Sequence, residues 1–196
     1  MDWGYFMQLS MHDCVNPPGC NRVASPNNIS LYFAVFICMN EDIKPIKRSA
    51  QLAPLSREHH EGLLFVWKIR QGIKKDIHPE RMIAFVNWFW QSELEVHFRK
   101  EEQVLIPLLL SREDLKNRLL HEHAHIVDSI EVARHNSYFE TLENLAQAVN
   151  DHIRCEERVL FNEVERMVSS EELMIIGEQL RDEKRCGVWE DAFWEG

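Results

Sequence analysis

Two ten-residue stretches of this chain read almost alike: His97-Phe98-Arg99-Lys100-Glu101-Glu102-Gln103-Val104-Leu105-Ile106 and His152-Ile153-Arg154-Cys155-Glu156-Glu157-Arg158-Val159-Leu160-Phe161. Six of the ten positions are identical, and both carry His-x-x-x-Glu. A His and a Glu four residues apart on a helix lie on one face, one turn apart. One such pair is an ordinary surface feature. Two of them, each inside an apolar stripe of a separate helix, read as halves of one metal site.

The rest of the chain supplies those helices. From about Pro54 the apolar residues follow helical spacing. Ser56 is the expected N-cap of a first helix, whose stripe runs Leu55, His59, Leu63, Val66 and Ile73. His78-Pro79-Glu80 opens a second helix with Pro in its first turn. Its stripe runs Ile83, Val86, Trp90, Leu94, His97, Glu101 and Leu105 until Pro107 breaks the ladder. Trp88, Phe89 and Trp90 read as core packing. Ser111 with Asp114 resembles a capping box for a third helix carrying Leu119, His123, Ile126, Ile130 and Ala133. Ser137 with Glu140 opens a fourth, with Leu142, Leu145, Val149, His152, Glu156, Val159 and Val164. Ser169 with Glu172 starts a short fifth helix to about Arg181. Strand signals are nearly absent after residue 40. Four long helices joined by short turns predict an all-α, antiparallel up-down-up-down four-helix bundle with a short fifth helix. The tail holds Trp189, Phe193 and Trp194, which either dock on the bundle or stay loose.

Within that bundle each half has the same plan: a lone His near the start of one helix, and His-x-x-x-Glu near the end of the next. The first half offers His59, His97 and Glu101; the second offers His123, His152 and Glu156. Antiparallel packing brings all six to one level. An ionised Glu in an apolar stripe costs several kcal/mol unless it is paired or coordinates a metal. No Lys or Arg shares that face, since Arg99 and Arg154 sit two residues after each His. A dinuclear site of divalent cations, held by four imidazoles and two bridging carboxylates, resolves the charge. Such mixed ligation suits iron or manganese, with zinc as an alternative. A lone His on an amphipathic helix is ordinarily a partly buried or capping side chain; the repetition at equivalent places argues otherwise. His60, His121 and His125 crowd the same segments but lie off the stripes, as solvent-facing side chains or supports that could replace a ligand only if a helix rotated.

Composition limits the partners. A formal net charge of -10 argues against nucleic acid and against an anionic membrane surface. The apolar run 29–38 is too short to span a bilayer and lacks signal-peptide flanks. Residues 1–38 are poor in charge and rich in Pro and Asn, and read as a weakly structured extension or an overlong start with initiation at Met39. Residues 39–196 are then the bundle domain. The five cysteines match neither a disulfide framework nor a zinc ribbon, so free thiols in a reducing cytoplasm are expected. Cys155 points about 100° away from Glu156 around the helix and is not an expected ligand.

At Glu58-His59, His97-x-x-x-Glu101-Glu102 with the following Val-Leu-x-Pro, Glu122-His123 and His152-x-x-x-Glu156-Glu157, the chain resembles the hemerythrin-like, or HHE cation-binding, family over about residues 52–182. The resemblance implies two non-haem iron ions, oxo- or hydroxo-bridged, with Glu101 and Glu156 bridging. It implies a diatomic gas ligand, O2 or NO, for sensing, detoxification or iron-centre repair. The chain departs from the oxygen carriers, which use His-x-x-x-His on the third helix and end with His-x-x-x-x-Asp. The four-His, two-Glu set is closer to the branch that includes iron–sulfur cluster repair proteins, although Cys14 and Cys20 do not reproduce their paired-Cys motif. Two rival readings remain: an iron-responsive module that meets a protein partner without turnover, and a di-iron oxidase or peroxidase-type enzyme.

Overall fold

Pro54 and Pro79 each stand in the first turn of a helix, where a missing N–H costs nothing. The computed structural model describes residues 48–181 and 187–195. The expectations for residues 1–38, the Met39 start, and Cys14, Cys20, Cys38 and Cys186 therefore lie outside the described residues. α1 is Ala53–Lys74. α2, Pro79–Phe89, passes through a π-helical turn, Trp90–Leu94, into α3, Glu95–Val104. A 3-10 turn, Ile106–Leu109, follows around Pro107. α4 is Glu113–His135. α5, Phe139–Cys155, passes through a second π-helical turn, Glu156–Leu160, into α6, Phe161–Met167. α7 is Ser170–Gln179. The described residues are all-helical and contain no strand. None of their helices is long and apolar enough to cross a membrane.

The helix ends depart from the sequence reading in three places. α1 begins at Ala53 with Leu52 as N-cap, so Ser56 lies inside the helix, where its hydroxyl donates to Glu157 Oε1 at 2.6 Å. α4 is preceded by Arg112, whose guanidinium pairs with Asp114 at 2.8 Å; Ser111 is not the cap. α5 begins after Tyr138, not Ser137, with Thr141 Oγ1 accepting from the Tyr138 N–H at 3.4 Å. The Ser169–Glu172 capping box forms as expected. α1 ends in a Schellman motif: the Asp76 N–H donates to Ile73 O and the Ile77 N–H to Gly72 O. Asp76 takes the left-handed position at φ 55°.

Two apolar clusters form the core. One contains Phe65, Phe85, Phe98, Ile126, Val149 and Ile153; the other contains Leu55, Leu105, Leu119, Leu160 and Phe161. The buried polar residues sit at the changeover. α1 runs from Leu55 through His59 to Phe65, and α4 from Leu119 through His123 to Ile126. The other two rods pass the clusters in the opposite order, Phe98–Glu101–Leu105 and Ile153–Glu156–Leu160. Val159, expected in the core, is 42% exposed. The π-helical turn explains this. Its wider winding moves the inward face on by one residue, and Leu160 and Phe161 are buried instead. The tail docks: Phe193 is buried among the first cluster, and Lys68 lies 4.3 Å over the Trp194 ring.

Candidate metal centre

Six polar side chains are buried in the described core: His59, His97, Glu101, His123, His152 and Glu156. They are the six residues singled out by the repeat. α1 contributes His59, α3 His97 and Glu101, α4 His123, and the α5–π rod His152 and Glu156. They gather into two groups able to hold a cation, one of His59, His97, Glu101 and Glu156, the other of Glu101, His123, His152 and Glu156. Within each group the donor atoms lie within 4.8 Å of one another. His60, His121 and His125 are exposed, and Cys155, a free thiol, belongs to neither group.

Glu101 and Glu156 are common to both groups. Glu101 turns Oε1 toward His97 Nε2 at 3.1 Å and Oε2 toward His123 Nε2 at 3.3 Å. Glu156 Oε2 faces His59 Nε2 at 3.0 Å and His152 Nε2 at 3.3 Å. Yet Nε2 of His59, His123 and His152 and all four oxygens of Glu101 and Glu156 have no hydrogen-bond partner. Buried polar atoms left this way are costly and rare. That many facing one another fit cations bound between them.

Every imidazole is held from outside by a further carboxylate. The Nδ1 of His59 meets Glu157 at 2.7 Å, and that of His97 meets Glu58 at 2.7 Å. The Nδ1 of His123 meets Glu102 at 2.8 Å, and that of His152 meets Glu122 at 3.1 Å. An ionised carboxylate only accepts, so each Nδ1–H donates and each Nε2 faces inward. These four glutamates adjoin the six in sequence: Glu58 precedes His59, Glu122 precedes His123, Glu102 follows Glu101, and Glu157 follows Glu156. One residue along a helix is a 100° turn, which carries the neighbour's side chain to the flank and onto the next rod. Their roles are invisible to a search for a buried stripe; the paired Glu-His and Glu-Glu spelling is the signal that carries them.

Without a cation the centre is electrostatically tense. Burial pushes the His97 imidazole down, but Glu101 and Glu58 outweigh it and raise it to about 9. His59 and His123 are also raised against the effect of burial, by Glu101 and further carboxylates. Burial would raise the Glu101 carboxyl, yet His97, His123 and His59 hold it well below the usual range. Protons and cations therefore compete for the same nitrogens.

A family model described as the hemerythrin HHE cation binding domain matches residues 52–164. The chain belongs to the hemerythrin HHE family. It is thus a cation-binding domain, and the matched span contains all six buried residues and all four outer glutamates. The match ends at Val164, so α7 and the docked tail of this hemerythrin HHE chain lie beyond it. No curated protein and no solved structure gives a significant match.

Proposed function

We propose that this chain is a non-haem di-iron protein that binds a diatomic ligand, O2 or NO, in sensing, detoxification or iron-centre repair. His59, His97, His123 and His152 are the terminal ligands, and Glu101 and Glu156 bridge. The observation that carries this reading is the pair of four-residue groups sharing two buried carboxylates whose oxygens lack partners. The opposite order of the two apolar clusters along successive rods supports the up-down-up-down topology that the ligand set needs.

Bound iron supplies the redox and Lewis-acid chemistry toward the gas. The chain's own residues do the rest. Glu58, Glu102, Glu122 and Glu157 fix the four rings so that only Nε2 points inward. A void of about 10 Å³ beside His59, His97 and His152 is lined by Gly62, Phe89, Leu94 and Ile153, among others. Its size is about that of a single water, beside the inward face of three histidines. Its walls are mixed, with Glu58 and Glu93 beside the apolar side chains and the histidines.

The test is an optical titration of anaerobically purified, iron-loaded protein with O2 and with NO. The proposal expects new charge-transfer bands that saturate with one gas molecule per pair of irons. An unchanged spectrum with both gases, or protein that takes up stoichiometric zinc and no iron, would overturn it.

A further inference from the structure

The two halves of the centre differ in how they are closed. Behind His59 and His97 stand Glu157 and Glu58, with side chains 18% and 9% exposed. Glu157 is paired with Arg48 at 2.9 Å and Glu58 with Lys100 at 3.0 Å, and these cations are themselves only 6% and 16% exposed. Behind His123 and His152 stand Glu102 and Glu122, 42% and 22% exposed. Arg118, which pairs with Glu122, is 52% exposed, and among the described residues no Lys or Arg pairs with Glu102. One half therefore has two largely covered positive charges over it, Arg48 and Lys100. The other has one half-exposed cation, Arg118.

The open space follows the same division. A groove of about 530 Å³ between α4 and α5 reaches His152 and is lined by Glu122, Asp128 and Asp151, against the single cation Arg118. His152 itself is 2% exposed, and its Nε2 has no hydrogen-bond partner. A second groove, about 440 Å³ between α3 and α4, reaches His123 and is also lined by Asp128 and Glu102. Against His59 and His97 lies a void of about 10 Å³, which also touches His152 and is too small to pass a hydrated cation. A groove of about 550 Å³ on that side reaches Glu58 but neither histidine, and its walls carry Arg57 and Lys68 beside Glu58 and Glu61. Acidic walls raise the local concentration of a divalent cation and give it water-bridged holding points. Arg48 and Lys100 repel one.

We propose that the two cation positions exchange unequally: the ion held by His123 and His152 enters and leaves through the acidic α4–α5 groove, while the ion held by His59 and His97 is retained. This rests on the dinuclear reading above. It gives the chain one exchangeable position, open to a second kind of divalent cation, beside one fixed position.

The test is anaerobic release of iron(II) from the loaded full-length chain into excess ferrozine, followed by absorbance. Two phases of one ion each are expected, with rates that differ by about tenfold or more. Combined Asp128→Asn and Asp151→Asn should slow the fast phase severalfold and leave the slow phase alone. Arg48→Ala should speed only the slow phase. Both aspartates are exposed, so their arm does not depend on the Arg48 variant folding. Two ions leaving in a single phase would overturn this proposal and leave the dinuclear reading standing. So would an aspartate variant that changes only the slow phase. A starting content of one ion per chain would overturn the dinuclear reading, and this proposal with it.

Discussion

Glu157 holds the outer nitrogen of His59 at 2.7 Å. Its chain neighbour Glu156 faces the inner nitrogen of the same ring at 3.0 Å. Two successive carboxylates thus grip one imidazole from both ends. Ser56 and Arg48 fix Glu157 in turn, and its carboxyl is pushed down to about 2, His59 and Ser56 outweighing burial. Removing the charge of Glu157 loosens the ring without touching its inward nitrogen. Glu157→Gln is expected to weaken cation binding about 10- to 100-fold. His60→Ala, one residue from His59 but exposed, should leave it unchanged. Competition against a chelator of known affinity measures both, and equal losses in the two variants would refute the assignment.

Stability of the metal-free protein should depend on pH with a definite sign. His97 is raised from its ordinary 6.5 to about 9. It therefore contributes stability that is complete below pH 6.5 and lost as pH rises through 9. Glu157, lowered from 4.5 to about 2, contributes stability present above pH 4.5 and lost as pH falls through 2. Glu101 acts in the same direction as Glu157. The melting temperature of metal-free protein should fall between pH 6.5 and 9, while the increment on adding iron grows. A metal-free melting temperature that rises over that interval contradicts the proton-holding role given to the histidines.

Gly62 lets α1 and α5 approach beside the void. A Cβ there would meet Ile153 Cδ1 at 2.7 Å. That atom is the end of a flexible side chain, so Gly62→Ala displaces it at modest cost. The gain in helix propensity, about 1 kcal/mol, offsets much of this. Net stability should change by no more than about 1 kcal/mol, with iron content kept. Gas binding should slow, because the methyl group and the displaced Ile153 side chain fill space beside the histidines. Stopped-flow mixing with NO checks this, and an unchanged association rate would remove the void from the account.

Asp76 closes α1 in the left-handed conformation at φ 55°, where a side chain strains the backbone. Asp76→Gly relieves the strain and retains both Schellman hydrogen bonds. It should stabilise the protein by about 1 kcal/mol in denaturant unfolding. Destabilisation would mean that the Asp76 side chain contributes something the backbone does not.

The six buried polar residues were legible in the sequence because a helix repeats its face every 3.6 residues and all six fall on apolar stripes. The same rule separated them from His60, His121 and His125. It failed at Val159, where a π-helical turn adds a residue that no periodicity announces. Ser56 and Ser137 have cap chemistry but lose the cap position to neighbours, since packing at Leu52 and Leu55 fixes where α1 begins. The outer glutamates escaped because their partners lie on other rods. Glu58 and His97 are 39 residues apart, and only the folded chain brings them to 2.7 Å.

The central claim is that two cations share Glu101 and Glu156. The most direct measurement is an anaerobic iron(II) titration of metal-free protein, with bound metal counted after desalting. The account predicts an endpoint of two ions per chain, and loss of both in Glu101→Ala and in Glu156→Ala. An endpoint of one ion, or either variant retaining two, would contradict it.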